Sequence, residues 1–145
     1  MNADVWYLDS SASVKTVLRE TESEALLTWL EDKARFVACE LARVEVVRSV
    51  AASDPAALPR ARAALAALTL LRLDDSLYAR AADLDPPLLR SIDAIHLAAA
   101  LIVGRELAGV ATYDARMADG ARVAGGRTTL RPELCAIGVR VAARD

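Results

Sequence analysis

The sequence predicts an α/β domain in three layers: a central, mainly parallel sheet with helices on both faces. Three observations predict it. Short apolar runs alternate along the chain with stretches of helical periodicity. The runs carry no polar alternation, so they read as strands buried on both faces and joined by helical crossovers. Hydrophobic residues make up 54% of the 145 positions but aromatics only 4%, so the core must be aliphatic. The length suits one domain, residues 1–145, able to bury roughly two-thirds of its unfolded surface.

In chain order, Val5–Leu8 is an apolar run that ends in Asp9 and reads as a first strand. Ser10–Ser13 opens a helix. A second helix is expected from about Glu22 to Asp32, with Ala25, Leu26, Trp29 and Leu30 on one face. Phe36–Ala38 is a short strand. A helix from Glu40 to Val50 follows, with Leu41, Val44 and Val47 at helical spacing. Asp54 and Pro55 read as a cap and a first-turn proline for a helix to about Ala67. Thr69–Leu73 is a strand and Ser76–Ala82 a helix, and Asp85-Pro86-Pro87 breaks the chain. Ser91–Val103 is a strongly apolar helix that Gly104 can end. Gly109–Tyr113 is a strand leading into Asp114, and the next helix stops near Gly125-Gly126. Val139–Val141 is a candidate last strand.

The composition excludes several classes. With 26% charged residues and 54% hydrophobic, the chain is not disordered. No apolar run reaches the ~18 residues that a membrane helix needs. Met1–Asp4 lacks a basic flank and a signal-type stretch, and Cys39 and Cys135 have no metal-ligand spacing. A cytoplasmic location is the expectation. Net charge is −2, whereas proteins that grip nucleic acid by bulk charge are usually basic. A nucleic-acid partner would therefore be met by a local patch and metal ions.

The chemistry should lie where ligands bind in such sheets, beyond the carboxyl ends of the strands. Asp9 and Asp114 each follow a strand. Asp93 sits in the first turn of its helix, with Ser91 as a candidate cap. Glu40 and Glu45, read on one helix, point about 140° apart and cannot share a site. Carboxylates that converge repel one another, and a hard divalent cation, Mg²⁺ or Mn²⁺, removes that cost. The plainer alternatives are that Asp93 complements a helix dipole and Asp114 caps the helix after it.

These segments resemble the PIN domain, and within it the VapC toxins of VapBC toxin–antitoxin modules. Tyr7-Leu8-Asp9-Ser10-Ser11-Ala12, Cys39–Arg48, Leu89–Ala98 and Thr112–Met117 are similar to the family's four motifs, in family order, across residues 7–126. The resemblance implies that Asp9, Glu45, Asp93 and Asp114 hold Mg²⁺ or Mn²⁺ and support hydrolysis of RNA. Glu40 and Asp119 are possible outer contributors, and Arg90 and Arg116 possible phosphate contacts. It also implies a homodimer and a cognate VapB-type antitoxin that enters the active-site groove. An apolar groove beside the acids and an apolar dimer patch are expected. The chain's small size favours a toxin over a PIN domain within a larger processing nuclease.

Neighbouring residues have two readings each. His96, the one histidine, could be a base or ligand, but a packed, hydrogen-bonded histidine is the commoner case. Ser10, Ser11 and Thr112 could orient carboxylates, or the serines could cap. Cys39 reads as an inert buried thiol, and Trp6, Trp29 and Tyr78 as core or interface. A receiver-like phosphate domain would want a late lysine, yet Lys15 and Lys33 are both early. A dehalogenase-like phosphatase would want an acid where Ser11 stands. A non-catalytic PIN-like binding module is the remaining alternative.

Overall fold

A computed structural model describes residues 5–33, 35–85, 87, 89–124, 128–130 and 140–144. The strands are β1 (Val5–Leu8), β2 (Arg35–Cys39), β3 (Thr69–Leu71), β4 (Leu107–Thr112), β5 (Thr128–Leu130) and β6 (Arg140–Arg144). The helices are α1 (Ser10–Val17), α2 (Ser23–Glu31), α3 (Ala42–Ser53), α4 (Leu58–Ala67), α5 (Asp75–Ala82), α6 (Ser91–Ile102) and α7 (Ala115–Ala124). The sheet order is β3-β2-β1-β4-β6-β5. The first four strands in that order are parallel, and β6 runs antiparallel to both β4 and β5.

Each strand's side chains divide between the two faces. Tyr7 joins Cys39, Leu77, Leu97, Val110 and Met117 in a core under α5, α6 and α7. Its neighbours Trp6 and Leu8 point the other way, toward Ala12 and Leu26. On that second face Ala38 packs with Val46, Val50, Ala61 and Leu65 of α3 and α4. All four residues of β1 are buried, as a continuous apolar run in a doubly covered sheet requires. The core is aliphatic apart from a few aromatics. Trp6 and Trp29 meet edge to face at 4.8 Å. Among the described residues no helix is long and apolar enough to cross a membrane.

Several boundaries differ from the sequence expectation for visible reasons. Strand β3 stops at Leu71 because the next backbone groups turn to Glu40: Glu40 N–H donates to Leu71 O, and Leu73 N–H donates to Glu40 Oε2 (both 3.1 Å). Glu40 therefore lies in the turn before α3 and not on the helix. Asp54 makes no side-chain cap, and a 3₁₀ turn at Pro55–Ala57 precedes α4. Asp74 caps α5 through Leu77 N–H at 2.9 Å. Residue Arg90, not Ser91, occupies the cap position of α6, without a side-chain bond. Helix α6 gives way at Gly104, whose φ of +69° suits glycine. Strand β5 was not foreseen. Pro86, Gly125, Gly126, Cys135 and Val139 lie outside the described residues.

The order places β1 between β2 and β4. The chain leaves β1 toward β2 and β3, then returns to the other side of β1 as β4. The carboxyl ends of β1 and β4 thus flank the point where the winding reverses, and both end in candidate site residues.

Candidate active site

Asp9 follows β1 directly, and its backbone N–H still pairs with Ala111 O of β4 at 3.0 Å. Its carboxylate is buried and held from two sides. Thr112 Oγ1 donates to Asp9 Oδ2 at 2.7 Å, and Ser11 Oγ donates to the same oxygen at 2.9 Å. Both hydroxyls accept in turn, Thr112 from Asp114 N–H (3.1 Å) and Ser11 from Tyr113 N–H (2.9 Å). The end of β4 is thereby tied to the start of α1, with Asp9 in the knot. Ser10 and Ser11 do not cap α1; they serve carboxylates.

Glu45 reaches the same region from the first turn of α3. Its Oε1 accepts from Ser10 Oγ at 2.9 Å and from His96 Nε2 at 2.6 Å. Burial pushes its carboxyl up, but the His96 and Ser10 bonds outweigh burial and hold it below the usual range. His96 is 1% exposed, and its Nδ1 lies 2.7 Å from Tyr7 Oη and 3.6 Å from Cys39 Sγ. Nε2 is also 3.8 Å from Asp9 Oδ1. Burial lowers the imidazole's proton affinity. Cys39, Glu45 and Asp9 more than offset this, and His96 is pushed up to about 10. Cys39 is buried at the end of β2. Burial raises its thiol, but His96 turns the net shift downward.

Asp93 differs from the others. It is buried in the first turn of α6, and its Oδ2 has no hydrogen-bond partner among the described residues. Burial, then Asp114, then Asp9 push its carboxyl up, against the weaker pull of His96 and Arg90. Asp93 thus feels the charge of both Asp114 and Asp9. Asp114 also caps α7, accepting from Arg116 N–H at 2.8 Å and Met117 N–H at 3.5 Å. The capping reading of Asp114 is thus realised.

The structure brings Asp9, Glu45, Asp93 and Asp114 to one edge of the sheet. It turns Glu40 away, onto Leu73 N–H. Beside Asp93 opens a cleft of about 320 Å³, lined by Leu89, Arg90, Arg116, Asp119, Gly120 and Val123. Its lining is mostly apolar, with charged groups set among the apolar ones, in keeping with the apolar groove expected beside the acids. Asp119 is paired outward to Arg122 at 2.7 Å. Among the described residues no three His, Cys, Asp or Glu side chains already form a cage for an ion. The donor set is nevertheless what a hard divalent cation takes. Acids from the ends of β1 and β4 and from α3 and α6 lie at one edge of the sheet, and one oxygen, Asp93 Oδ2, is buried with no partner among the described residues. Sequence reasoning gave no role to Tyr7. It read His96 as a packed, hydrogen-bonded histidine, which the bonds to Tyr7 and Glu45 bear out, but did not say which groups it would hold. The one available signal was that His96 follows Asp93 by three positions on the same helix.

A three-layer domain with carboxylates gathered beyond β1 and β4 defines a class of protein, and the chain belongs to it: this is a member of the PIN domain family, matched over residues 6–123. Its kinship within that family is close. It is 45% identical to Ribonuclease VapC46 of Mycobacterium tuberculosis over 119 residues, 82% of this chain and 92% of that protein. It is 41% identical to Ribonuclease VapC47 of the same species over 127 residues, 82% of this chain and 91% of that protein. With Ribonuclease VapC35 it shares 40% identity over 119 residues, 79% of this chain and 88% of that protein. No solved structure matches the chain significantly.

Proposed function

We propose that this chain is a metal-dependent endoribonuclease and the toxin of a VapBC-type toxin–antitoxin pair. Asp93 Oδ2 carries the reading: a buried carboxylate oxygen without a partner among the described residues, in the field of Asp9 and Asp114, calls for a cation. The relatives named as VapC ribonucleases support the substrate class, RNA, and a VapB-type antitoxin as partner.

Asp9, Glu45, Asp93 and Asp114 would hold the ion, and their all-oxygen chemistry favours Mg²⁺ or Mn²⁺. When bound, the ion supplies Lewis-acid polarisation at phosphorus and an activated water. The chain's own residues do the rest. Ser11 and Thr112 aim Asp9, and Ser10 and His96 aim Glu45. Arg90 and Arg116 offer positive charge to phosphates on the walls of the cleft. The antitoxin would block this cleft, and the active toxin would be a homodimer.

The test is cleavage of total cellular RNA by the purified chain with Mg²⁺, with Mn²⁺ and with chelator, beside Asp9→Asn. Discrete fragments that need the cation and vanish in the variant are expected. Equal cleavage in chelator, or by Asp9→Asn, would refute the reading. No cleavage under any condition would favour a binding module whose acids hold an ion without chemistry.

A further inference from the structure

We infer that His96 is a positioning residue for the metal-binding carboxylates: its Nε2–H holds Glu45, and the Tyr7 hydroxyl holds the imidazole. The inference rests on the nuclease reading, but its own support is geometric. His96 is one turn beyond Asp93 on α6, so one helix face carries a ligand and the group that governs another. At 1% exposure the ring meets neither solvent nor substrate, so it is not a general base.

Nε2 lies 2.6 Å from Glu45 Oε1. An ionised carboxylate only accepts, so Nε2 carries the proton. On the other side of the ring, Nδ1 is 2.7 Å from the hydroxyl of Tyr7, a residue of β1. Tyr7 and Ser10 bracket Asp9 in sequence. Tyr7 reaches Glu45 through His96, and Ser10 reaches it directly. The bonds close a ring, β1 to His96 to Glu45 and back to α1. This ring registers the α3 ligand against Asp9 across 36 positions of sequence, from residue 9 to residue 45. A histidine that only filled space would need none of this. Fixing ligand orientation through an outer hydrogen bond is a recurrent device in metal sites, and its loss typically costs about 10- to 100-fold in affinity or activity.

The test compares wild type, His96→Leu, His96→Gln and Tyr7→Phe by Mn²⁺ calorimetry, circular dichroism and RNA-cleavage kinetics. His96→Leu should weaken Mn²⁺ binding by about 10- to 100-fold and lower kcat, with KM for RNA little changed. His96→Gln keeps an N–H near the Nε2 position and should recover most of the affinity. Tyr7→Phe should show a smaller loss of the same kind. Because the chain has one histidine, a ¹⁵N-histidine spectrum reads a single ring, and Nε2 should be protonated at pH 7. A folded His96→Leu that binds Mn²⁺ like wild type overturns the inference. If that variant does not fold, wild-type Mn²⁺ affinity in Tyr7→Phe, or an unprotonated Nε2 in wild type, overturns it. A wild type that binds Mn²⁺ with this signature but cleaves no RNA refutes the nuclease reading and leaves the positioning role standing.

Discussion

Asp9 and Asp93 are buried to nearly the same degree, 7% and 9% exposed, yet the protein treats them oppositely. One oxygen of Asp9 accepts two hydroxyl bonds, from Ser11 and Thr112. The corresponding oxygen of Asp93 accepts none among the described residues. Glu45 and Asp93 differ in the same sense. Donors hold Glu45 below the ordinary carboxylate range, whereas burial and its neighbours push Asp93 above it. Burial alone does not decide the charge of a carboxylate; what faces it does. One half of the site, on β1, α1, α3 and β4, is organised by the chain's own hydroxyls and imidazole. The other half, on α6, leaves a buried carboxylate oxygen without a partner among the described residues, its charge only weakly offset by His96 and Arg90.

The strongest break of this comparison is Asp93→Asn. Removing the uncompensated charge should abolish cation-dependent cleavage, by more than about 100-fold, the upper end of what even supporting residues cost. Without added metal it should also raise the melting temperature near neutral pH. The sign follows from linkage. A carboxyl whose folded pKa is raised binds more protons folded than unfolded, so it costs stability as pH rises past its unfolded value. Glu45→Gln should do the reverse. Its lowered folded pKa contributes stability above the unfolded value, which is lost as pH falls through the folded one. The two variants should diverge in melting temperature above about pH 4.5 and converge toward wild type in acid. Melting curves across pH check this. If both variants destabilise at pH 7, the two halves of the site are not opposites.

On the organised half, Thr112→Val keeps shape and removes one of the two donors to Asp9. Cleavage should fall by about 10- to 100-fold, less than for Asp93→Asn, because Ser11 still holds the same oxygen. Thr112→Val combined with Ser11→Ala should cost more than the product of the two single losses, since together they empty that oxygen. Strict additivity in single-turnover rates would show that the two hydroxyls do not act on Asp9 as a pair.

How far the sequence disclosed this site depends on the distance between partners. Asp9 and Asp114 were legible because a parallel sheet exposes its strand ends, and the residues after Leu8 and at the end of β4 fall there. Asp93 was legible as a first-turn acid. The contrast between Glu40 and Glu45 was sound in outcome but wrong in cause. They do not share a helix; Glu40 N–H remains in the ladder with Leu71, and its side chain closes the β3–α5 turn. Ser10, Ser11 and Thr112 were legible as hydroxyls that could orient carboxylates, but which carboxylate each would meet was not. Ser10 meets Glu45 over 35 positions and His96 meets it over 51, contacts that packing of α1, α3 and α6 creates and no local pattern announces. Strand β5 escaped for a related reason. Its three residues become a strand through antiparallel pairing with β6, not through their own periodicity.

The finest test lies in the cleft beside Asp93, where Arg90, Arg116 and Asp119 face one space with different engagements. Arg90 and Arg116 are exposed, and among the described residues neither guanidinium is held in an ion pair, so both are free to meet phosphate. Alanine at either should raise KM for RNA with little change in kcat. It should also flatten the salt dependence of binding by about 0.7 in log–log slope, the contribution of one phosphate contact on a single strand. Asp119 is already engaged, its carboxylate 2.7 Å from Arg122 on the solvent side of α7. Asp119→Asn should therefore change cleavage by no more than about twofold, the span of an ordinary surface substitution. Salt-dependent kinetics on one RNA would read all three variants together. A loss at Asp119 on the scale of Asp93→Asn would mean that its carboxylate leaves Arg122 and joins the ion. The uncompensated half of the site would then extend from α6 onto α7, and Asp114, which caps that helix, would be set between two ligands rather than at the end of the set.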